Sequence, residues 1–158
     1  MSEKGTSQLF DCWDAMYTAL SNRARPVHPD TGVEPDVAFS GHIETSAELI
    51  IVPGTQPDEI PLQSWTTNTS KLEEFTLLVR IWTVVPGCSS EETRARLKVL
   101  QNWVESTFRN QTSGRPQGID LDRVWSYTTK TISAAIGPYG AEGYGGWCDM
   151  GVHFKCRI

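Results

Sequence analysis

The most regular pattern in the chain is an alternation of apolar and other residues over residues 73–85. A period of two is typical of a β-strand, because successive side chains point to opposite faces of a sheet. One face of this predicted strand is expected to lie in the core: Phe75, Leu77, Val79, Ile81 and Val85. The other face carries Leu78, Trp82 and Val84. These apolar side chains would be exposed to water if nothing covered this side of the sheet. Either a neighbouring subunit or another segment of the same chain is therefore expected to cover this face.

A second alternating segment, residues 147–158, closes the chain. Its apolar face consists of Cys148, Met150, Val152, Phe154, Cys156 and Ile158. Before it come a β-rich stretch over residues 121–136 and a glycine-rich segment over residues 137–146. Together they predict a long C-terminal β-hairpin around a mobile glycine-rich loop. Tyr139 and Tyr144 give this loop apolar area that could contact a partner protein. The alternative to a partner-binding loop is a hairpin tip that is flexible and has no binding role.

Two segments have the apolar period of an amphipathic helix. The first covers residues 6–20, with the stripe Leu9, Phe10, Trp13, Met16, Tyr17 and Leu20. The second opens at a capping box formed by Ser89 and Glu92, and Arg96 is expected to pair with Glu92 one turn later. The stripe that this second helix is expected to bury is Leu97, Leu100, Trp103, Val104 and Phe108.

The remaining segments predict shorter elements. Residues 48–52 are typical of a strand that a Pro-Gly pair ends, and residues 60–67 of another. The proline-containing stretch 22–46 predicts loops with a short strand at residues 37–39. Taken together, the elements predict an α+β fold in which a mainly antiparallel β-sheet packs with two α-helices.

At 158 residues the chain fits a single domain, since a chain of this size buries about 70% of its unfolded surface in one core. We expect residues 1–158 to form that domain, with residues 1–5 flexible. A formal net charge of −5 argues against a protein that grips nucleic-acid phosphates. The longest apolar run covers only residues 49–52, so no membrane span is expected, and the first residues do not resemble a secretory signal.

The sequence predicts no catalytic, cofactor or metal site. Its four cysteines form no C-x-x-C pair, and no nucleotide-binding or hydrolase motif occurs. His28 and His42 lack a ligand at metal-binding spacing and are expected at the surface. His153 is five residues from Cys148 on one predicted strand, so the two point to opposite faces and form no dyad. We expect His153 to join a cross-strand polar pair instead.

In their order, these elements resemble the tail terminator proteins of long-tailed (siphovirus-type) bacteriophages, particularly those that infect actinobacteria. The likeness rests on the helix at residues 9–20, the strand and Pro-Gly turn at 49–54, and the strand at 75–82 that leads into the helix at 95–105. The closing segment, residues 151–158, completes it.

The resemblance implies a structural virion protein rather than an enzyme, assembled in the host cytoplasm and located at the head-proximal end of the tail. It would form a six-fold ring, end polymerisation of the tail tube protein and join the tail to the neck proteins. Genomic DNA would pass through the lumen without specific binding. The candidate interface residues are Leu78, Trp82, Val84, Tyr139 and Tyr144. The alternatives are another connector, stopper or tube component and, in other classes, a small binding module or an unrecognised enzyme.

Overall fold

The computed structural model of this chain describes residues 7–40, 47–55, 62–65, 71–109, 111–112, 115–116, 124–139 and 143–157. The helices are α1 (Leu9–Asn22) and α2 (Ser90–Arg109). The strands are β1 (Asp36–Ala38), β2 (Glu48–Thr55), β3 (Leu62–Trp65), β4 (Lys71–Val84), β5 (Gln111–Thr112), β6 (Arg115–Pro116), β7 (Val124–Pro138) and β8 (Tyr144–Arg157).

Six of these strands form one sheet in the order β1-β2-β4-β8-β7, in which β3 pairs with the end of β4 that β2 does not reach. Strands β5 and β6 pair separately. Only the β1–β2 pair is parallel among the described pairs of this sheet. Strands β7 and β8 form the long C-terminal hairpin. The predicted α+β class, with a mainly antiparallel sheet and two helices, is therefore confirmed.

Both helices cover one face of the sheet, called here the inner face, and the opposite face is called the outer face. Helix α2 packs on β4, β7 and β8, and α1 packs on β1 and β2. The predicted core face of β4 is buried here, as are the described residues of the apolar face of β8 and the stripe of α2. Ile158 lies outside the described residues. Phe154 stacks on Phe75 with ring centroids 5.5 Å apart. The ring centroid of Tyr127, on β7, lies 5.6 Å from that of Phe154.

The Pro-Gly pair does not end β2, contrary to the prediction. The strand continues to Thr55 through a β-bulge between Ile51 and Gly54. Gly54 has a φ of +115°, which favours glycine, and a Cβ there would lie 3.1 Å from the ring of Trp13. The turn signal therefore marks a bulge where α1 approaches the strand closely.

Of the seven described residues in the glycine-rich segment, five lie in strands, so the predicted loop at 137–146 is corrected. Pro138 pairs with Tyr144, and the Tyr139 N–H donates to the carbonyl of Gly143 over 3.0 Å. Within the segment only residues 140–142 lie outside the described part of the chain. Packing explains the glycine at position 146, because a Cβ there would lie 2.7 Å from the Leu97 side chain on α2. Close approach of α2 to β8 thus requires glycine where the sequence suggested mobility.

Arg96 lies under the protein surface and not on the exposed side of α2, which corrects its predicted pairing with Glu92. Its Nε and one terminal nitrogen each donate to Glu48 over 2.7 Å. The Thr83 hydroxyl donates to the same carboxylate over 2.9 Å, and the guanidinium also donates to the carbonyl of Pro26 over 2.6 Å. The predicted forward half of the capping box does form, since the Glu92 N–H donates to Ser89 Oγ over 3.1 Å.

Candidate interaction surface

Leu78 lies on the outer face of β4, opposite Gly54 on β2 and Gly151 on β8. Only 6% of it is exposed in the single chain. Of the two alternatives for covering this face, the chain itself therefore covers Leu78. A residue buried in this way offers no area to a neighbour, so Leu78 is removed from the candidate interface.

Trp82 and Val84 keep accessible surface on the outer face, and the fold adds three residues beside them. Trp147 on β8 stands directly opposite Trp82 and is 38% exposed. Ala135 on β7 stands opposite Trp147 and is exposed. Tyr139, at the end of β7, is 48% exposed. We call Trp82, Val84, Ala135, Tyr139 and Trp147 the apolar strip; it runs from β4 across β8 to the β7 edge of the sheet.

Gly145 makes the apolar strip continuous. A Cβ at this position would lie 2.8 Å from Val84 Cγ2 and 3.3 Å from Tyr139 Cβ, so these two side chains approach each other over the bare backbone. Any larger residue would push them apart. The glycine therefore keeps this part of the outer face flat and apolar.

Tyr144, the other predicted loop residue, does not join the strip. It is half-exposed, but it alternates in register with Gly146 and Cys148, whose positions face the helices. Tyr139 and Tyr144 thus lie on opposite sides of the hairpin, and the structure does not bring them together.

A second exposed group of aromatic residues, the aromatic cluster, lies at the opposite edge of the sheet, beside β1. It consists of Phe10, Trp13, Tyr17 and Phe39. The ring centroids of Tyr17 and Phe39 are 4.4 Å apart, and those of Phe10 and Trp13 are 5.8 Å apart. The indole N–H of Trp13 donates to the carbonyl of Val52, which fixes the ring on β2.

Phe10 is the most exposed member of the aromatic cluster at 67%, although the sequence placed it in the buried stripe of α1. The stripe is too wide for one face. At roughly 100° per residue, Phe10 stands well away from Met16 and Leu20 around the helix axis. Only the residues on the Met16 and Leu20 side face the core. The apolar stripe was too wide for all of its residues to be buried, and this width could have predicted that Phe10 is exposed.

Beside the apolar strip, the exposed side chains of the outer face on β4 and β8 are polar, whereas Leu49, Ile51 and Leu78 of this face are buried. Arg80 donates to both carboxylate oxygens of Asp149 over 2.7 and 2.9 Å. His153 Nδ1 lies 2.9 Å from the Thr76 hydroxyl, and Nε2 lies 3.3 Å from Glu74. The predicted cross-strand role of His153 is confirmed. These pairs join β4 to β8, and the ion pair of Arg80 with Asp149 flanks the apolar strip with charge.

Within the described ranges, one group of side chains could hold a metal ion, and sequence reasoning missed it. His28 is only 4% exposed, not at the surface as predicted, and Cys88 lies beside it. Cys88 Sγ is 3.9 Å from His28 Nε2 and 3.5 Å from Asp30 Oδ2. Burial, the hydrogen bond to Asp30 and nearby carboxylates raise the pKa of the Cys88 thiol. His42 lies outside the described residues.

Comparison with known proteins gives no relative: no family model matches the chain, and no curated protein is significantly similar to it. None of the helices in the described ranges is both long and apolar enough to cross a membrane. The resemblance to tail terminators therefore stays a prediction from the order of the elements and from local sequence patterns.

Proposed function

We propose that this chain is a structural protein that closes into a ring through head-to-tail contacts, and that the ring is the tail terminator of a long-tailed bacteriophage. In this role it caps the head-proximal end of the tail tube, ends tube polymerisation and joins the tail to the neck proteins. The observation that supports the proposal best is the presence of two different exposed apolar patches at opposite edges of one sheet.

A ring of identical subunits needs two distinct surfaces on each subunit, one that contacts the preceding copy and one that contacts the next. The aromatic cluster lies at the β1 edge and the apolar strip near the β7 edge. The strip begins on β4, two strand spacings or about 10 Å from β1, and extends to β7, four spacings or about 19 Å from β1. Two patches set this far apart can each bind a different neighbour, whereas a two-fold dimer needs only one self-complementary patch.

The two patches also differ in shape in a way that suits contact with each other. The apolar strip is flat around Gly145, while Phe10 projects from α1 in the aromatic cluster. Tryptophan and tyrosine are enriched among the residues that carry most of the binding energy at protein interfaces. The ion pair between Arg80 and Asp149, two residues from Trp82 and Trp147, supplies the polar rim that such interfaces have.

The proposed role includes passage of DNA through the ring. The formal net charge of −5 disfavours tight contacts with phosphate groups, because such contacts depend on Lys and Arg releasing counterions. An acidic ring lets DNA slide without being held. Binding of DNA in the lumen is therefore expected to be non-specific and weak.

The test compares the mass of the wild-type chain and three variants by light scattering, with and without purified tail tubes. Phe10→Ser removes the centre of the aromatic cluster, and Trp147→Ser removes the centre of the apolar strip. Val99→Ser is the matched control, because Val99 is an exposed apolar residue on α2 outside both patches. We expect wild-type and Val99→Ser protein to form rings and each patch variant to stay a monomer.

A mixture of the two patch variants separates a head-to-tail ring from other assemblies. The intact apolar strip of Phe10→Ser protein can bind the intact aromatic cluster of Trp147→Ser protein, so the mixture should form dimers that cannot close. Negative-stain images should show wild-type rings at one end of tail tubes. A wild-type monomer that ignores tubes would overturn the proposal and favour a small binding module or an enzyme. Rings that bind another neck component and not tubes would assign a different station in the virion.

A further inference from the structure

The cluster of His28, Asp30 and Cys88 joins the loop after α1 to the turn before α2, beyond the end of β4. Its three ligand atoms all lie within 4.8 Å of one another. Zinc bonds of about 2.0–2.3 Å in tetrahedral geometry place neighbouring ligand atoms about 3.6 Å apart. The observed separations from Cys88 Sγ are 3.5 Å to Asp30 and 3.9 Å to His28. We propose that this cluster binds a single Zn²⁺ ion.

The types of ligand select the ion. A thiolate and an imidazole favour zinc and similar transition metals, whereas Mg²⁺ and Ca²⁺ prefer sites made of oxygen ligands. Three protein ligands leave one tetrahedral position open. Asp30 is exposed, so water can reach that position from its side of the cluster.

The backbone around the ligands is held without a metal. The carbonyl of His28 accepts from the Gly32 N–H over 2.8 Å, and the His28 N–H donates to the carbonyl of Val33 over 3.0 Å. Arg96 binds the carbonyls of the two residues just before His28. The Cys88 N–H donates within its own turn to the Val85 carbonyl over 3.3 Å. Because the loop is already ordered, little conformational entropy is lost when an ion binds.

The charges near the site also favour a cation. The negative charges of Asp30, Glu48 and Glu92 all raise the pKa of the Cys88 thiol. Arg96 is the opposing charge, and it is bonded to Glu48 in a bidentate pair. The remaining field at the cluster is negative, which attracts a divalent cation.

Protons occupy the cluster when no metal is bound. The Asp30 N–H donates to His28 Nδ1 over 3.0 Å, which places the ring proton on Nε2, toward Cys88 Sγ. The Cys88 S–H donates to the Asp30 carboxylate. Zinc binding forms the S–Zn bond and releases the thiol proton to solvent. The ring proton moves from Nε2 to Nδ1, and the Asp30 amide gives up its hydrogen bond to the ring.

The test titrates the purified full chain with Co²⁺, which takes the place of zinc and gives absorption bands that report its ligands. We expect a thiolate-to-cobalt charge-transfer band in the near ultraviolet that saturates at one equivalent and disappears when Zn²⁺ is added. Cys88→Ser should abolish the band. Asp30→Asn should weaken binding at least tenfold, whereas the matched control Glu34→Gln, an exposed carboxylate on the same loop, should bind like the wild type.

Thermal unfolding gives a second readout. Zinc should raise the unfolding midpoint of the wild type and of Glu34→Gln, and should raise that of Asp30→Asn much less, because only binding to the folded state shifts the midpoint. The proposal is overturned if no charge-transfer band forms, or if it persists in Cys88→Ser, which would assign it to another of the free cysteines. Equal binding by Asp30→Asn and Glu34→Gln would overturn it as well. Asp30 is exposed, so its variant should fold even if Cys88→Ser does not.

Discussion

The two faces of the sheet are built from the same strands but are covered in different ways. On the inner face, β4 and β8 alternate their apolar residues against two helices, and this face forms the hydrophobic core. On the outer face, the same strands carry a cross-strand ion pair beside a strip that contains exposed aromatic residues. The alternation tells which residues share a face, but only the fold tells which face the helices cover. The accessible apolar surface of the outer face supports the proposed assembly role.

In the part of the chain that the structure describes, each face also holds one bidentate ion pair between arginine and a carboxylate, and the two pairs differ in burial. The pair of Arg96 and Glu48 is buried under α2, and its remaining polar atoms contact Thr83 and loop carbonyls. The pair of Arg80 and Asp149 lies on the outer face with the Arg80 side chain partly exposed. Water and salt screen an exposed pair, while a buried pair leaves an isolated charge when one partner is lost. Breaking the inner ion pair should therefore lower the free energy of unfolding much more than breaking the outer one.

The largest effect is expected for Arg96→Met. Removing the guanidinium leaves Glu48 buried without its main partner, and we expect a loss of about 3–5 kcal/mol in the free energy of unfolding. Urea denaturation followed by circular dichroism measures this loss. The double variant Arg96→Met with Glu48→Gln removes both charges, so it should recover part of the lost stability.

Arg94→Met is the matched control, because Arg94 is an exposed arginine on the same helix. It should change stability by less than about 0.5 kcal/mol. If Arg96→Met destabilises the chain no more than Arg94→Met, the buried pair does not hold the loop against α2 as the structure indicates.

The difference between the faces also shows what sequence reasoning can and cannot reach. The faces of β4 and β8 and the C-terminal hairpin were predictable, because a period of two is a local property. The contacts of Arg96 with Glu48 and of Cys88 with His28 join residues 48 and 60 positions apart, and chain topology sets such contacts. Local spacing therefore gave Arg96 the wrong partner and placed His28 at the surface.

The candidate interface was predictable in part for the same reason. Trp82 and Val84 stood out because they broke the polar face of a strongly alternating strand. Trp147 shares a face with Asp149 and His153, and its importance appears only when the register places it opposite Trp82. The aromatic cluster depends on the position of Phe39 relative to α1, which a loop rich in proline does not reveal.

A smaller effect is expected from the buried thiols of the inner face. The hydrogen bond with Cys156, at an Sγ–Sγ distance of 3.9 Å, raises the pKa of Cys12 well above its ordinary value of 9.0, and burial raises it further. This contribution to stability is complete below the unfolded pKa and is lost as the pH rises through it toward the folded value. Above pH 9.0 the unfolded chain ionises first, and stability should fall by about 1.4 kcal/mol per pH unit for this thiol.

Cys12→Ala should flatten the alkaline part of the stability profile, measured by urea denaturation between neutral pH and strongly alkaline pH. Val152→Ala is the matched control, because it also truncates a fully buried residue but carries no titrating group. Its profile should run parallel to that of the wild type at lower stability. Parallel profiles for Cys12→Ala and the wild type would show that the thiol does not ionise differently in the two states.

The smallest effect is expected for the outer ion pair. Arg80→Met should cost about 0.2–1 kcal/mol, because the Arg80 side chain is partly exposed and water screens its charge. Asp149 is the more buried partner, so the loss should lie at the upper end of this range. The measurement is a double-mutant cycle with Asp149→Asn at low and high salt, in which the coupling energy should shrink as salt rises. A coupling energy as large as that of Arg96 with Glu48, and insensitive to salt, would mean that the outer face is as well shielded as the inner one. In that case the apolar strip would not be open to a neighbouring subunit.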